Sequence, residues 1–186
     1  MNRRFGAWIL TGTMAVSSAG TVRADQTFLR EADAPHVMFP ESTGAERRTL
    51  ELTDAELKWL ERTLSRRTDV TKYPYFEVSK QHEPLGRIFI LDVVGQAHPI
   101  TFAVAVGLDG LVKDVEVLVY REPYGAQIEE ARFRRQFTGK KLTDPITLGR
   151  DVDVITGATI SSRAATYAVR KGLSLAEVLR ARGAGP

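Results

Sequence analysis

The chain has 186 residues, 43% of them hydrophobic, enough for one sizeable core and too few for a second. It contains no cysteine, which excludes a disulfide framework, a thiolate-held iron–sulfur cluster and a haem attached through cysteine. Its 26 Lys and Arg exceed its 23 Asp and Glu only by Arg3, Arg4 and Arg23 of the first 24 residues; the remainder is balanced and gives no reason to expect a nucleic-acid partner.

In chain order, residues 1–24 have the layout of a secretory signal peptide. Arg3 and Arg4 precede the apolar stretch "FGAWILTGTMAVSSAG", and Val22 and Ala24 put small residues at −3 and −1 before Asp25. The stretch is short and broken for a membrane span, which needs about 20 apolar residues. The expectation is export across the cytoplasmic membrane to the periplasm. Cleavage would free the protein, and retention of the signal would tether it.

Residues 25–52 read as a poorly periodic lead-in, with "DAPHVMFPESTG" rich in breakers. Residues 53–80 read as a helix and a first strand. Thr53-Asp54-Ala55-Glu56 is a capping-box signature, and Leu57, Leu60 and Leu64 follow at helical spacing, so a helix is predicted to about Arg66. "YFEVSK", "GRIFILDVV", "ITFAVAV" and "LVKDVEVLVY" then alternate as strands, with turns at "GQAHP" and "GLDG". They predict an antiparallel sheet of three or four strands.

After a turn at "REPYG", "AQIEEARFRRQF" reads as a helix, "TGKKLTDPITLGR" as irregular and "DVDVI" as a short strand. The basic run "RFRRQFTGKK" reads as a solvated helix face. A helix follows with Ile160, Ala164, Tyr167 and Ala168 on one stripe and Gly172 as its stop. Ser174-Leu175-Ala176-Glu177 is a second capping box, predicted to start a final helix to about Arg182. The fold class is therefore α+β, a small antiparallel sheet with flanking helices in a single domain. His36, His82 and His98 stand in loop contexts without ligand spacing, so no metal site is expected.

The densest chemistry lies in "DVDVITGATISSRAATYAVRKG", residues 151–172. A strand-to-helix turn of Thr156, Gly157 and Ala158 would present backbone N–H groups at an open helix N-terminus, where unpaired donors and partial positive charge favour an anion. The hydroxyls of Thr156, Thr159, Ser161 and Ser162 offer donors to phosphate oxygens, or one could be esterified. On spacing alone the reading is a helix N-capped by Thr156 or Thr159, because caps are far commoner than phosphate sites. Neither a dinucleotide fingerprint nor a Walker loop is present.

"DVITGATISS" resembles the D-x-x-[ST]-G-A-T motif of the FMN-binding domain family, which includes flavin subunits of Rnf and sodium-pumping NADH:quinone oxidoreductases and the N-terminal domain of NosR-type proteins. "YREPYGAQI…FRRQFTGKK" is similar to that family's E-[TS]-x-G segment and the helix ending in Q-F-x-G that follows it, matching at Glu122, Gly125, Gln136, Phe137 and Gly139. The resemblance covers roughly residues 86–172 and marks 81–182 as the FMN-binding domain. It implies that a flavin transferase joins the FMN phosphate to the hydroxyl of Thr159. It also makes Asp153 the acid the transferase requires, with Thr156, Gly157 and Ala158 in the S/T-G-A positions.

Pro123-Tyr124 departs from the Thr-Pro pair of Rnf-type subunits. Tyr124 offers a ring to stack on the isoalloxazine, although a Tyr in a turn is more often a partly buried packing residue. Lys140 and Lys141 read either as counter-charges for reduced flavin or as a solvated loop. The function implied is an extracytoplasmic carrier of covalent FMN, relaying electrons to or from a membrane or periplasmic redox partner. Its competitors are a flavin-dependent reductase acting on a small molecule and a binding module without flavin. No nucleophile–base pair or carboxylate dyad stands at a spacing that suggests hydrolysis.

Overall fold

A computed structural model describes residues 25–183; the segment read as a signal peptide lies outside the described residues. The stretch expected to be a lead-in forms β1 (Gln26–Thr27), a 3-10 turn, the short α1 (Ala34–Met38) and β2 (Gly44–Glu51). Next come α2 (Asp54–Leu64) and four long strands, β3 (Lys72–Lys80), β4 (Glu83–Val94), β5 (Pro99–Gly107) and β6 (Val112–Tyr120). The short α3 (Ala131–Arg134) and the long α4 (Thr159–Ala181) complete the order. The α+β class is as expected: the described residues form one antiparallel sheet, ordered β1-β6-β5-β4-β3-β2, with helices on its faces.

α2 starts where its capping box predicts. The Glu56 N–H donates to Thr53 Oγ1 at 3.4 Å, and the Thr53 N–H donates back to the Glu56 carboxylate at 2.8 Å. The Arg182 guanidinium donates to that carboxylate at 2.6 Å; this bond, helped by those from Thr53 and opposed by burial, brings the Glu56 carboxyl down to about 2. Thr53→Ala should cost about 1 kcal/mol, visible as a lower denaturant midpoint at unchanged slope.

The sheet has six strands rather than three or four, because both edges come from residues 25–52. β2 buries only Leu50, so it has no alternation to read. Its pairing with β3, from Gly44↔Ser79 to Glu51↔Lys72, makes it a strand. β3 pairs with β4 only from Lys80↔Glu83 to Tyr75↔Phe89, while β4 continues beside β5 as far as Val94↔Pro99. The start of β3 and the middle of β4 thus part, leaving a slot in the sheet.

Alternation sends Phe89, Leu91, Phe102 and Val104 to one face, under α2 and α4. Phe76, Ile88, Ala103 and Leu118 go to the other, under Met38 and Phe39 at the end of α1.

Three local expectations are corrected. The helix predicted over 126–137 is broken at Glu130, whose ψ of 132° is extended, and only Ala131–Arg134 is α-helical. Phe133 and Phe137 meet edge-to-face at 5.4 Å in the core. "DVDVI" is no strand: it contributes an isolated bridge, Leu148↔Val152, in a loop gathered around the Asp151 carboxylate.

The third correction concerns the C-terminal helices, which are a single helix. A Cβ on Gly172 would lie 2.8 Å from Val104 Cγ1, so the glycine marks close packing against β5 rather than a stop. Ser174 caps nothing, its hydroxyl donating to the Arg170 carbonyl at 2.8 Å. Ile160 points to solvent, while Ala164, Ala168 and Leu175 are among the residues that face the sheet. Among the described residues no helix is long and apolar enough to cross a membrane.

Candidate functional site

The strand-to-helix turn of the sequence becomes a loop that enters the N-terminus of α4. Gly157 takes φ +80°, and Ala158 sits at the N-cap with its methyl buried and no side-chain oxygen to offer. Neither Thr156 nor Thr159 caps the helix, which removes the plain-cap interpretation of this segment. Thr159 is the first helical residue and is exposed; Asp153, Thr156 and Gly157 are exposed as well. The Ser162 N–H donates to the Ala158 carbonyl at 2.8 Å, so the earlier N–H groups of the first turn lack intrahelical acceptors. They lie at the positive end of a 23-residue helix.

Ser161 and Ser162 face inward instead. The Ser161 hydroxyl lies 2.7 Å from the Tyr120 hydroxyl, which also donates to the Tyr124 carbonyl. Gly125, at φ +92°, fits against this pair: a Cβ there would be 2.5 Å from Ser161 Oγ and 2.9 Å from the Tyr120 hydroxyl. Ser162 is fully buried, and its hydroxyl has no hydrogen-bond partner among the described residues.

The two motif segments meet at a second point, where the Asp153 N–H donates to Gln136 Oε1 at 2.7 Å. Gly139 and Lys140 are stitched to β6 by two main-chain bonds with Val112, each 2.8 Å. This fixes Gln136 relative to the sheet, and with it the approach to α4.

Glu122, just after β6, sends its carboxylate elsewhere, into the β4–β5 turn. It is only 4% exposed, and Oε1 accepts from the N–H groups of Ala97 at 2.7 Å and His98 at 2.9 Å, while Oε2 is buried without a partner among the described residues. Burial works against its charged form, but the N–H bonds from His98, Ala97 and Gln96 outweigh it and hold the carboxyl below the usual range.

Tyr124 is 78% exposed, and Val154 and Ile160 are also open to solvent, giving the site an apolar border. Lys140 is committed to Asp151 at 2.8 Å. Asp151 also accepts from the N–H groups of Ile146 and Thr147; burial opposes its charge, but Lys140 and these N–H groups hold its carboxyl below the ordinary range.

Tyr120 and Asp151 are the residues that sequence reasoning missed. Tyr120 closes an alternating run and reads as core, and Asp151 has no periodicity to flag it. Among the described residues no group of three His, Asp or Glu side chains could hold a metal ion.

Residues 95–174 match the family described as "FMN-binding domain". The chain is 29% identical over 110 residues to one of the subunits of a proton-translocating ferredoxin:NAD(+) oxidoreductase complex from Clostridium ljungdahlii, an alignment covering 55% of this chain and 59% of that protein. The chain thus spans well under two thirds of that relative's length. The crystal structure of NqrC from Shewanella oneidensis is similar in fold, with a TM-score of 0.54 at 17% identity over 78% of this chain and 88% of the other. The uncapped α4 N-terminus, the paired motif segments and the match point the same way: residues 95–174 are similar to the FMN-binding domain family.

Proposed function

We propose that this protein carries FMN as a phosphoester on Thr159 and relays electrons between that flavin and a redox partner at the membrane, outside the cytoplasm. The observation that carries the reading is Thr159 itself. It is exposed at the first position of a long helix whose N-cap residue has no capping side chain. When bound, FMN supplies one- and two-electron chemistry.

The chain's own residues hold and orient it. First-turn N–H groups and the helix dipole suit a phosphodiester charge, and the left-handed Gly157 keeps the approach free of side chain. Tyr124, Val154 and Ile160 offer apolar surface to an isoalloxazine ring. Asp153 stays exposed for the flavin transferase that loads the cofactor. The signal-like residues 1–24 support export, and the relative from an oxidoreductase complex supports a membrane complex as partner.

The test is intact mass after co-expression with a flavin transferase, beside Thr159→Ala. The expected result is a gain equal to FMN less one water, with yellow colour, both absent from the variant. An unmodified wild-type chain that releases no flavin on denaturation would return the segment to a structural role.

A further inference from the structure

The slot between β3 and β4 opens into a cavity of about 660 Å³. Lys171 borders it from α4, only 6% exposed and carrying neither a hydrogen bond nor an ion pair among the described residues. Its ammonium sits over the Tyr73 ring at 4.9 Å and the Tyr167 ring at 5.6 Å. Ring faces attract a cation but do not neutralise it, and a buried charge without a counter-ion is costly.

The other charged side chains around the cavity are matched. Arg30 pairs with Asp33 at 2.6 Å, Arg47 with Glu31 at 2.8 Å, Lys72 with Glu51 at 3.3 Å and Arg121 with Asp25 at 3.0 Å. Asp92 accepts from the Thr101 hydroxyl at 2.6 Å and stays beyond ion-pair range of Lys171. Burial, then the Arg66 guanidinium, push the Lys171 ammonium below the usual lysine range, with Asp92 only partly opposing. Among the described residues, the lysine is therefore the one cation at this cavity without an ion-pair partner.

We infer that this slot is a second binding site, for a small organic carboxylate whose charge rests on Lys171 and whose apolar body lies in the slot. A single ammonium suits one carboxylate better than a phosphate, which draws several donors. Leu29, Ile90, Leu91, Leu118 and Tyr73 line the cavity and supply apolar walls. The main chain of β4 beyond Phe89 has no β3 partner on that side and leaves room for the ligand. Lys171 lies twelve residues along α4 from Thr159, about 18 Å at 1.5 Å per residue, so the site stands apart from the flavin motif and does not depend on it.

The test is a nuclear magnetic resonance titration of the purified chain with benzoate, its neutral analogue benzyl alcohol, and inorganic phosphate. Benzoate should shift the signals of Leu91, Asp92 and Lys171 saturably, and benzyl alcohol and phosphate should bind at least about tenfold more weakly. Lys171→Met should weaken benzoate by a similar factor, while Lys171→Arg keeps it within a few-fold. Absence of shifts, shifts confined to other surfaces, equal binding of benzyl alcohol or phosphate, or undiminished binding by Lys171→Met would each overturn the proposal. If the Met variant does not fold, the wild-type mapping and the ligand comparison still decide.

Discussion

Gly125→Ala should destabilise the protein by about 3 kcal/mol, the sum of a left-handed backbone penalty of about 1 kcal/mol and an overpacking cost of about 2 kcal/mol. The residue sits at φ +92°, and the added methyl would meet Ser161 Oγ at 2.5 Å and the Tyr120 hydroxyl at 2.9 Å. Neither hydroxyl can yield freely, because they bond each other at 2.7 Å and Tyr120 also holds the Tyr124 carbonyl. For a chain of this size the melting temperature should fall by roughly 6–12 °C. A double-mutant cycle separates the two causes. Ser161→Ala removes the nearest obstacle, so the pair should be coupled by about 1 kcal/mol or more. Strict additivity would mean the backbone conformation alone carries the cost.

Glu122→Gln should cost about 2 kcal/mol at neutral pH, because a neutral amide oxygen replaces a charged acceptor for the Ala97 and His98 N–H groups. The pH dependence follows from the direction of the shift. The folded carboxyl lies below its unfolded value, so its contribution is complete above that value and is lost as pH falls through the folded one. The stability gap between wild type and Glu122→Gln should therefore narrow on acidification from about pH 6 towards about pH 3. Other carboxyls held below their ordinary values, Glu56 and Asp151 among them, also lose their contributions on acidification, so the difference between the two proteins is the quantity to follow. Denaturant midpoints at each pH supply it, and a gap independent of pH would show that charge plays no part at Glu122.

Much of the candidate site was legible as a string. Asp153, Thr156, Gly157 and Thr159 stand together in the sequence and remain together at the mouth of α4. What could not be read is how the string is held. Ser161 and Ser162 look like two more phosphate donors until α4 turns both inward, one onto Tyr120 and one into the core. The bond from the Asp153 N–H to Gln136 and the contact of Gly125 with Ser161 join residues far apart in the chain, and no spacing rule anticipates them. Tyr124, ambiguous as a sequence feature, is 78% exposed, because the main chain of its loop, and not its ring, is tied down by Tyr120.

By itself the sequence determined whatever closes within a few residues or repeats at a fixed period. The Thr53–Glu56 capping box is complete within one helical turn, and β3 to β6 show their alternation because each buries one side or both against packed layers. The tertiary structure decided the rest. β2 is a polar edge with one buried residue, so its identity exists only in its pairing with β3. Gly172 and Ser174 carry local signals for a stop and a restart, yet close packing against Val104 and the bond from Ser174 to Arg170 run one helix through both. Local propensities amount to about 1 kcal/mol each, and a well-packed helix face outweighs them.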